Sequence, residues 1–356
     1  MFEETTIIQT PNFYINEPGV MKKIPDILDE NYYQHAVVLT DTNVKKAVQH
    51  YVVENFFNMY DTFLFEGSCT FDEIDRLTHL INGADVLVAF GGGQLLDTAK
   101  CVADNLSIAL INVPTLPSNC ACIATKSIVY SDAHEMIANV RHKQSVQMVL
   151  VEPKVQQEAP YAYILSGIGD TLAKWYEIRR RLTVEKSSLV VSGLARHFIQ
   201  VCRDEMLKVT NVSSLSDVEL RNLVDTIFLV AASVDGWAGL DGRSVAAHNV
   251  YNAYIKIYPQ HTSTHGEIVA VGILDQLAIE KNWDDFNLLT SYYKQIGLSL
   301  TLRDLGLNDE KADLKAIANE MAKKDNVRMQ TIFPNISADE ILSALQFVEK
   351  QDVEAE

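Results

Sequence analysis

The sequence predicts an α/β N-terminal domain built on a doubly wound sheet, followed by an all-α C-terminal domain. Short apolar runs alternate with amphipathic segments over the first 150 residues, as in α/β folds. One run, Asp85–Phe90, is apolar after its first residue, which is typical of a strand buried on both faces of a parallel sheet. Beyond Pro160 long helical patterns dominate, so the predicted domains are 1–160 and 161–356.

The elements of the N-terminal domain are predicted from apolar runs and from the residues that interrupt them. The helices between the strands carry apolar residues at helical spacing, over 44–57, over 71–82 and after Gly93. A hairpin is predicted from 128–130 and 137–140 around a turn at 131–135. The remaining strands are predicted at 36–40, 62–65, 85–90, 107–113 and 146–151.

The C-terminal domain is predicted to be helical because β-branched runs with a period of two are absent there. The glycine-rich segment 166–170 is expected to place Asp170 at the start of a helix. The helices are predicted at about 170–182, 186–204, 217–237, 241–258, 264–281, 284–296 and 337–350.

The composition limits the classes of function. The 356 residues carry 30 Lys and Arg against 47 Asp and Glu, a formal net charge of −17. This balance does not offer the phosphate-neutralising surface that nucleic acid or an anionic membrane attracts. The apolar stretches are shorter than the roughly 18–20 residues of a transmembrane helix, and residues 1–4 lack the positive start of a signal peptide. Five cysteines match no zinc pattern, so free thiols and a cytoplasmic location are expected.

A glycine run after the Asp85–Phe90 strand indicates a phosphate-binding loop. Gly91, Gly92 and Gly93 lead into a helix whose N-terminus offers unpaired N–H groups to an anion. The run is neither the dinucleotide fingerprint G-x-G-x-x-G nor a Walker loop. Pyrophosphate binding is favoured over the alternative, a structural turn with Asp97 in the first turns of the helix, where the dipole favours an acid.

Asp41 ends the first clear strand of the sequence. A carboxylate at a strand end could bind a ribose diol and repel a 2′-phosphate, which would favour NAD over NADP. The usual acidic residue follows the glycines, whereas Asp41 precedes them. The alternative is a solvated turn or an N-cap aspartate before Thr42.

Asp170, His248 and His265 are candidate metal ligands. His248 is placed mid-helix among small residues. His265 opens a helix whose start fits a capping box of Thr264 and Glu267. Two histidines and one carboxylate with an open fourth position are the ligand count of a catalytic zinc-type site, which can polarise an alcohol or carbonyl oxygen. The alternatives are an N-cap role for Asp170 and a hydrogen-bonded core histidine at 248.

Together these motifs resemble the iron-containing, or group III, alcohol dehydrogenases, in particular the glycerol dehydrogenase and hydroxycarboxylate dehydrogenase branches. The resemblance implies a dehydroquinate synthase-like fold, with a nucleotide-binding α/β domain, a helical domain and a divalent metal in the cleft between them. The matching segments follow the family's order along most of the chain. They are GGGQLLDTAK (91–100), PTLPSN (114–119), SGIGDTLAKWYE (166–177), AAH (246–248) and HGEIVAVG (265–272).

The resemblance also implies roles for individual residues. The metal ligands it implies are Asp170, His248 and His265. Lys174 stands where other members of the superfamily have a further histidine ligand, so zinc is favoured over iron. The implied contacts to the cofactor are made by Asp41, Gly92, Gly93, Gln94, Asp97, Thr115, Ser118 and Lys126.

The implied reaction is hydride transfer between the nicotinamide of NAD or NADP and a small alcohol or carbonyl compound, with the metal as Lewis acid. Cys120 stands where glycerol dehydrogenases carry an aspartate that contacts the polyol, and Lys126 stands where the family usually has leucine. The lost carboxylate and the added amine favour a 2-hydroxy or 2-oxo acid as substrate, with glycerol or another polyol as the alternative. The simpler interpretations are packing for Cys120 and a solvated strand position for Lys126.

Three other classes fit the sequence less well. A dehydroquinate synthase-like lyase would resemble G-G-x-x-x-D-x-x-G-F and would carry a glutamate ligand, whereas Lys100-Cys101 and Asp170 stand at these positions. A glycerol-1-phosphate dehydrogenase would need a basic phosphate pocket. A non-catalytic binding protein should have lost a ligand or the glycine loop. The expected partners are a small-molecule substrate and further copies of the chain in a homo-oligomer, but not nucleic acid or a membrane.

Overall fold

A computed structural model of the chain describes residues 7–132, 135–184, 189–307 and 310–351. The chain separates into two compact units. One contains residues 7–160 and 217–236, and the other contains 161–216 and the chain from 237 onward.

The helical segment 217–236 departs from the domain prediction, which assigned it to the C-terminal domain. It belongs to the first unit because its side chains bind the first strand of the sheet. The Tyr14 hydroxyl and the Asn16 amide donate hydrogen bonds of 2.7 and 2.6 Å to the Asp225 carboxylate. Helical periodicity in the sequence carries no information about which neighbour a helix packs against.

The first unit is built on the predicted doubly wound parallel sheet. Its strand order is β1-β8-β5-β4-β2-β3, every neighbouring pair is parallel, and β4 is buried along its whole length. An antiparallel hairpin, β6–β7, stands beside it. The strands are β1 Phe13–Asn16, β2 Ala36–Thr40, β3 Asp61–Leu64, β4 Val86–Gly91, β5 Ala109–Pro114, β6 Lys126–Tyr130, β7 Met136–Arg141 and β8 Met148–Val151.

Strand β1 is the one strand of the described sheet that the sequence analysis missed. It is short and lies at the edge, where one of its four residues is exposed and three are half-buried. An edge strand of this kind has no continuous apolar run to reveal it. The central residues of the predicted hairpin turn, 133 and 134, lie outside the described residues.

Helices connect the parallel strands, as the crossover connections of such a sheet require. The segment 217–236 also contributes two helices that are separated by a π-helical turn, Thr226–Val230. The helices of the first unit and this segment are α1 Ile24–Glu30, α2 Thr42–Val48, α3 Phe56–Met59, α4 Phe71–Leu80, α5 Gly93–Leu106, α6 Pro153–Gln157, α9 Asp217–Asp225 and α10 Ala231–Ala238.

The second unit contains helices joined by turns and loops, and no strand among its described residues. The prediction that a helix starts near Asp170 is wrong, because α7 begins nine residues earlier and contains Asp170 in its interior. The sequence analysis missed α14 and α15, and the predicted helix start at Lys186 lies outside the described residues. The helices are α7 Tyr161–Ile178, α8 Val190–Lys208, α11 Ala246–Ile257, α12 His265–Glu280, α13 Trp283–Ile296, α14 Glu310–Met321, α15 Val327–Ile332 and α16 Ala338–Val348.

Glycines let α7 and α12 of the second unit meet backbone to backbone. A Cβ atom on Gly169 would lie 2.2 Å from the carbonyl oxygen of Gly266, and one on Gly266 would lie 1.8 Å from that of Ser166. On the other side of α12, a Cβ atom on Gly272 would lie 2.5 Å from the Ala247 carbonyl oxygen of α11. No larger residue fits these positions without moving a helix, so glycine sets the spacing of the three helices.

Residues 217–242 form the single stretch among the described residues that is long and apolar enough to cross a membrane. Half of its most apolar window is buried inside the protein, which is also the behaviour of a core helix. All five cysteines are buried and form no disulfide. Burial raises the pKa of the Cys101 thiol to about 11 and that of Cys69 to about 12, so both are poor nucleophiles at neutral pH.

Candidate metal and nucleotide sites

Three side chains converge between α7, α11 and α12. Asp170 Oδ1 lies 3.4 Å from His248 Nε2 and 3.5 Å from His265 Nε2. One donor atom from each of the three residues lies within 4.8 Å of the others. These are the three residues that the sequence predicts as metal ligands, and the structure brings them together.

The chain positions the three side chains in three different ways. Asp170 projects from the interior of α7, next to the Gly169 contact with α12. His248 lies in the first turn of α11, not mid-helix as predicted, because α11 starts only at Ala246. His265 is the first residue of α12, and the predicted capping box forms: Glu267 accepts hydrogen bonds from the backbone N–H and the hydroxyl of Thr264.

Glu177 contacts His248 at Nδ1, the ring nitrogen that does not face Asp170. No role for Glu177 was predicted from the sequence. Its Oε2 atom lies 2.6 Å from His248 Nδ1, while Oε1 accepts the backbone N–H groups of Val245 and His248 at 2.7 and 3.1 Å. Seven residues separate Glu177 from Asp170, which places both on one face of α7, two turns apart. That spacing was the available signal in the sequence.

The charges of this cluster depend on one another. Burial opposes ionisation of Asp170, but the Lys174 ammonium and hydrogen bonds from His248 and His265 outweigh it and hold its pKa well below the usual range. Burial also opposes protonation of His248, yet the carboxylates of Glu177 and Asp170 raise its pKa to about 9. The cluster is therefore arranged to attract a cation.

His265 is held differently from His248. Its ring makes an edge-to-face contact with the ring of Tyr251, with centroids 4.3 Å apart. The His248 ring lies 5.4 Å away and is tilted by 56°. Aromatic packing thus restrains the plane of the His265 ring, whereas a buried carboxylate restrains His248.

The donor set fits a divalent metal ion. In tetrahedral coordination with bonds of about 2.0–2.1 Å, neighbouring donor atoms lie about 3.4 Å apart. The two distances from Asp170 Oδ1 to the histidine nitrogens match this value. One carboxylate and two imidazoles leave a further coordination position for a substrate oxygen.

In the first unit, the predicted nucleotide-binding residues lie at the carboxyl edge of the parallel sheet. Asp41 follows β2, Gly92 and Gly93 follow β4, and Thr115 follows β5, and these three strands are neighbours. The strand order reverses between β2 and β4, since β3 lies on one side of β2 and β4 on the other. Open α/β sheets bind ligands in the crevice at such a reversal.

The glycine loop is shaped by close packing. A Cβ atom on Gly93 would lie 3.0 Å from the side-chain amide of Asn119, and one on Gly92 would lie 3.1 Å from Leu116. Gly92 is the N-cap of α5 and supplies no side chain to cap it. Gln94 is exposed in the first turn of this helix. The N-terminal end of α5 therefore keeps the open backbone that an anion requires.

Two predicted cofactor contacts are engaged inside the protein. The Asp97 carboxylate accepts the Ile128 N–H at 3.1 Å and lies 2.9 Å from the Lys100 ammonium. Asp41 caps α2, because its Oδ1 accepts the N–H groups of Asn43 and Val44 at 2.8 and 2.9 Å. The N-cap alternative for Asp41 is thus correct as a description of that oxygen.

Thr115 and Ser118 remain near the glycine loop. Both are buried, and the Thr115 N–H donates to the Gly91 carbonyl at 3.0 Å. Among the described residues the Thr115 hydroxyl has no hydrogen-bond partner. A buried hydroxyl without a partner is costly, and a bound ligand would satisfy it.

Lys126 forms an ion pair that the sequence did not reveal. Its ammonium lies 2.8 Å from Asp235, in the helical segment that belongs to the same unit. Cys120 is buried in the turn after β5, where its carbonyl accepts the Ala124 N–H. Lys126 thus lies on a strand with a side chain that is 35% exposed, as the simpler interpretation has it, but its ammonium is ion-paired, and Cys120 is buried as packing requires.

Comparison with known proteins gives consistent matches. Residues 11–153 match the sequence profile described as iron-containing alcohol dehydrogenase. Hydroxycarboxylate dehydrogenase A of Escherichia coli K12 is 30% identical over 338 residues, which cover 92% of this chain and 90% of that protein. Glycerol dehydrogenase of Thermotoga maritima is 29% identical over 340 residues, or 90% of each chain. The crystal structure of a probable glycerol dehydrogenase from Sinorhizobium meliloti 1021 superimposes with a TM-score of 0.83 at 23% identity, covering 97% of this chain and 98% of that one.

Proposed function

The chain belongs to the iron-containing alcohol dehydrogenase family of oxidoreductases, and on that premise we propose that it exchanges hydride between NAD(P) and a small alcohol or carbonyl compound with the help of a divalent metal. The observation that carries this proposal is the convergence of Asp170, His248 and His265. A binding protein of the same fold is less well supported, because the ligand set and the glycine loop are both complete. A lyase is less well supported because Lys100-Cys101 and Asp170 stand where its motif and its glutamate ligand would be.

The proposed division of labour follows from the chemistry of each group. Asp170, His248 and His265 hold the metal, which supplies Lewis acidity toward a hydroxyl or carbonyl oxygen. With a divalent ion bound, two neutral imidazoles and one carboxylate would leave a net positive site, which would favour an oxygen on which negative charge develops. Zinc is preferred to iron in this proposal, since Lys174 stands where a further histidine ligand would be needed.

The proposed cofactor site uses the carboxyl edge of the sheet. Gly92, Gly93 and the exposed first turn at Gln94 offer backbone N–H groups to a pyrophosphate. The Thr115 hydroxyl is a partnerless donor next to this loop among the described residues. Asp41 would repel a 2′-phosphate, which favours NAD over NADP. A cytoplasmic location and a homo-oligomer complete the proposal.

The proposed substrate is a 2-hydroxy acid or the corresponding 2-oxo acid. Support comes from Cys120, which replaces the carboxylate that the resemblance implies for polyol binding, and from the similarity to a hydroxycarboxylate dehydrogenase. Lys126 contributes less than its charge suggests, because Asp235 already neutralises it. Glycerol is the second candidate, favoured by the similarity to a glycerol dehydrogenase over 90% of the chain.

The metal site is tested by replacing His265 with alanine and measuring bound zinc and NADH oxidation. We expect the activity to fall at least about 100-fold, because the electrostatic stabilisation of a developing charge is lost. His261→Ala is the matched control: it removes the neighbouring histidine, which lies against the Ser263 carbonyl and the Tyr254 ring and is not one of the three converging side chains. An unchanged rate in His265→Ala would refute the proposed site.

The substrate is tested with a panel of 2-oxo acids, aldehydes and dihydroxyacetone, each with NADH and with NADPH. We expect 2-oxobutanoate to be reduced with a higher kcat/KM than dihydroxyacetone. Cys120→Asp should reverse the order, because a carboxylate repels the acid and accepts hydrogen bonds from the polyol. Efficient reduction of dihydroxyacetone with no turnover of 2-oxobutanoate would eliminate the 2-oxo acid proposal.

A further inference from the structure

Glu177 is the most fully engaged carboxylate near the candidate metal site, although it is not one of the three converging side chains. It lies on α7 and is 1% exposed. Its hydrogen bonds all go to one short stretch of chain, the start of α11, which carries His248. Glu177 thus links the helix of one candidate ligand to the helix of another.

The two oxygens of Glu177 accept from different donors. Oε1 accepts two backbone N–H groups, from Val245 and His248, which are among the groups that the start of α11 leaves without an intrahelical partner. Oε2 lies 2.6 Å from His248 Nδ1. One side chain therefore fixes both the backbone and the imidazole of His248.

A contact at Nδ1 determines which histidine nitrogen can bind a metal. A neutral imidazole carries one N–H, and a carboxylate beside Nδ1 places that hydrogen on Nδ1. Asp170 Oδ1 faces Nε2 at 3.4 Å and accepts its hydrogen in the metal-free protein. A metal would replace that hydrogen, and the closer Glu177 carboxylate, 2.6 Å from Nδ1, would keep the remaining N–H, which leaves the lone pair on Nε2. The geometry therefore selects the tautomer that the convergent site requires.

We propose that Glu177 is a positioning residue, which presents the Nε2 lone pair of His248 to a divalent metal and anchors the start of α11 at the same time. The inference rests on the metal site of the proposed function. Removal of a carboxylate that holds a metal-binding histidine in this way typically lowers the metal affinity by about 10–100-fold.

The charge of Glu177, and not only its shape, is needed for this arrangement. A glutamine at 177 has one acceptor oxygen and one donor NH2. If its oxygen faces the two backbone N–H groups, its NH2 faces Nδ1 and forces the hydrogen onto Nε2. If it is turned round, the NH2 faces the two N–H donors. Either orientation disturbs His248, while the volume of the side chain is unchanged.

Glu349 offers a matched control in the same unit. It is also 1% exposed, and its oxygens accept the backbone N–H groups of Leu302 and Arg303 at 2.7 and 3.2 Å. These two N–H groups belong to the segment that follows α13 and not to a helix that carries a candidate ligand. Glu349→Gln therefore introduces the same donor conflict in a buried glutamate away from the candidate ligands.

The experiment compares Glu177→Gln, Glu349→Gln and the unmodified protein by Co²⁺ titration against a chromophoric chelator. We expect Glu177→Gln to bind Co²⁺ 10–100-fold more weakly and Glu349→Gln to bind it within about threefold of the unmodified protein. Thermal unfolding of both variants monitors folding. Equal Co²⁺ affinity in Glu177→Gln and the unmodified protein, or an equal loss in both variants, would overturn the proposal.

A second measurement holds even where Glu177→Gln does not fold. In the Zn²⁺-loaded unmodified protein with ¹⁵N-labelled histidine, NMR should find the His248 hydrogen on Nδ1 and the metal on Nε2. The opposite assignment would overturn the role of Glu177. Failure of the unmodified protein to bind Co²⁺ or Zn²⁺ would overturn the proposed metal site and this inference together. Metal binding without turnover of any tested alcohol would refute the proposed function, while the affinity difference would still decide the role of Glu177.

Discussion

The helical unit contains two equally buried carboxyl groups that differ in their hydrogen-bond partners. Glu177 lies where α7 meets the start of α11, and Asp275 lies on α12 near the end of α16, and each is 1% exposed. Glu177 has partners on both oxygens. Among the described residues, neither oxygen of Asp275 has a hydrogen-bond partner.

The difference in partners gives the two groups opposite pKa shifts. Burial opposes the charge of Glu177, but the nearby His248 and the hydrogen bonds it receives lower its pKa below the ordinary value. Burial and the neighbouring carboxylate of Glu349 raise the pKa of Asp275 well above the ordinary value. Burial therefore does not decide whether a carboxyl group is charged; its neighbours do. Glu177 is suited to hold a cation site, whereas Asp275 is a cost to stability.

The largest effect is expected from a substitution that separates α7 from α12, the helices that carry Asp170 and His265. Gly169→Ala would place a Cβ atom 2.2 Å from the Gly266 carbonyl oxygen, so α7 and α12 must move apart. We expect the free energy of unfolding to fall by about 3 kcal/mol, as for severe overpacking. Co²⁺ affinity should fall at least about tenfold, because Asp170 and His265 are carried by the two helices. Denaturant unfolding and Co²⁺ titration measure the two effects.

Gly297→Ala is the control for this substitution. Gly297 ends α13 with φ of 81°, a left-handed conformation, and an added Cβ atom would meet nothing within 4 Å. Its cost should be about 1–2 kcal/mol of backbone strain, without loss of Co²⁺ affinity. An equal loss of Co²⁺ affinity in both variants would show that close helix packing is not what assembles the site.

Replacing Asp275 with leucine tests whether its buried carboxyl group lowers the stability of the protein. Because a buried polar group without partners costs about 1–3 kcal/mol, Asp275→Leu should raise the free energy of unfolding by about 2 kcal/mol at pH 7. Asp275→Asn, which keeps a buried polar group, should raise the free energy of unfolding by less than Asp275→Leu does. A destabilised Asp275→Leu would mean that the carboxyl group has a partner that offsets its burial.

Asp275→Leu should also change how the free energy of unfolding depends on pH. Between the ordinary value near 3.8 and its raised value in the folded state, Asp275 is protonated when folded and ionised when unfolded. The folded state then binds one more proton, so the free energy of unfolding decreases as the pH rises through this range. Denaturant unfolding at pH 5, 6, 7 and 8 should show a smaller decrease in Asp275→Leu than in the unmodified protein. Parallel curves would contradict the raised pKa.

The sequence predicted the elements that carry strong local signals. The buried strand 85–90, the glycine run after it and the capping box at Thr264 are patterns of adjacent residues, and all three are present in the structure. The edge strand 13–16 and the location of segment 217–236 depend on distant contacts, such as those of Tyr14 and Asn16 with Asp225. No window of adjacent residues contains that information.

The candidate site divides along the same line. Asp170, His248 and His265 were found by motif, and the structure adds the distances between them. Glu177 and Asp235 act through partners that are 71 and 109 residues away in the chain. The seven-residue spacing from Asp170 indicates only that Glu177 shares a helix face with it, and no spacing in the sequence indicates either partner. The sequence also misplaced Asp170 at a helix start, because the glycine-rich segment that suggested this start lies inside α7, where Gly169 serves the close contact with α12.

In the first unit, too, a partner should decide what a charged side chain does. Lys126 is paired with Asp235, and their side chains are 35% and 15% exposed. If Asp235 neutralises the Lys126 ammonium, the ammonium is not available to the substrate. Lys126→Met should then change kcat/KM for 2-oxobutanoate by less than about threefold, because partly exposed ion pairs contribute little. Asp235→Asn should then lower KM for the same acid, since it leaves the ammonium without its carboxylate. A rise in KM of more than about tenfold in Lys126→Met would instead mean that Lys126 binds the acid directly and that Asp235 orients it.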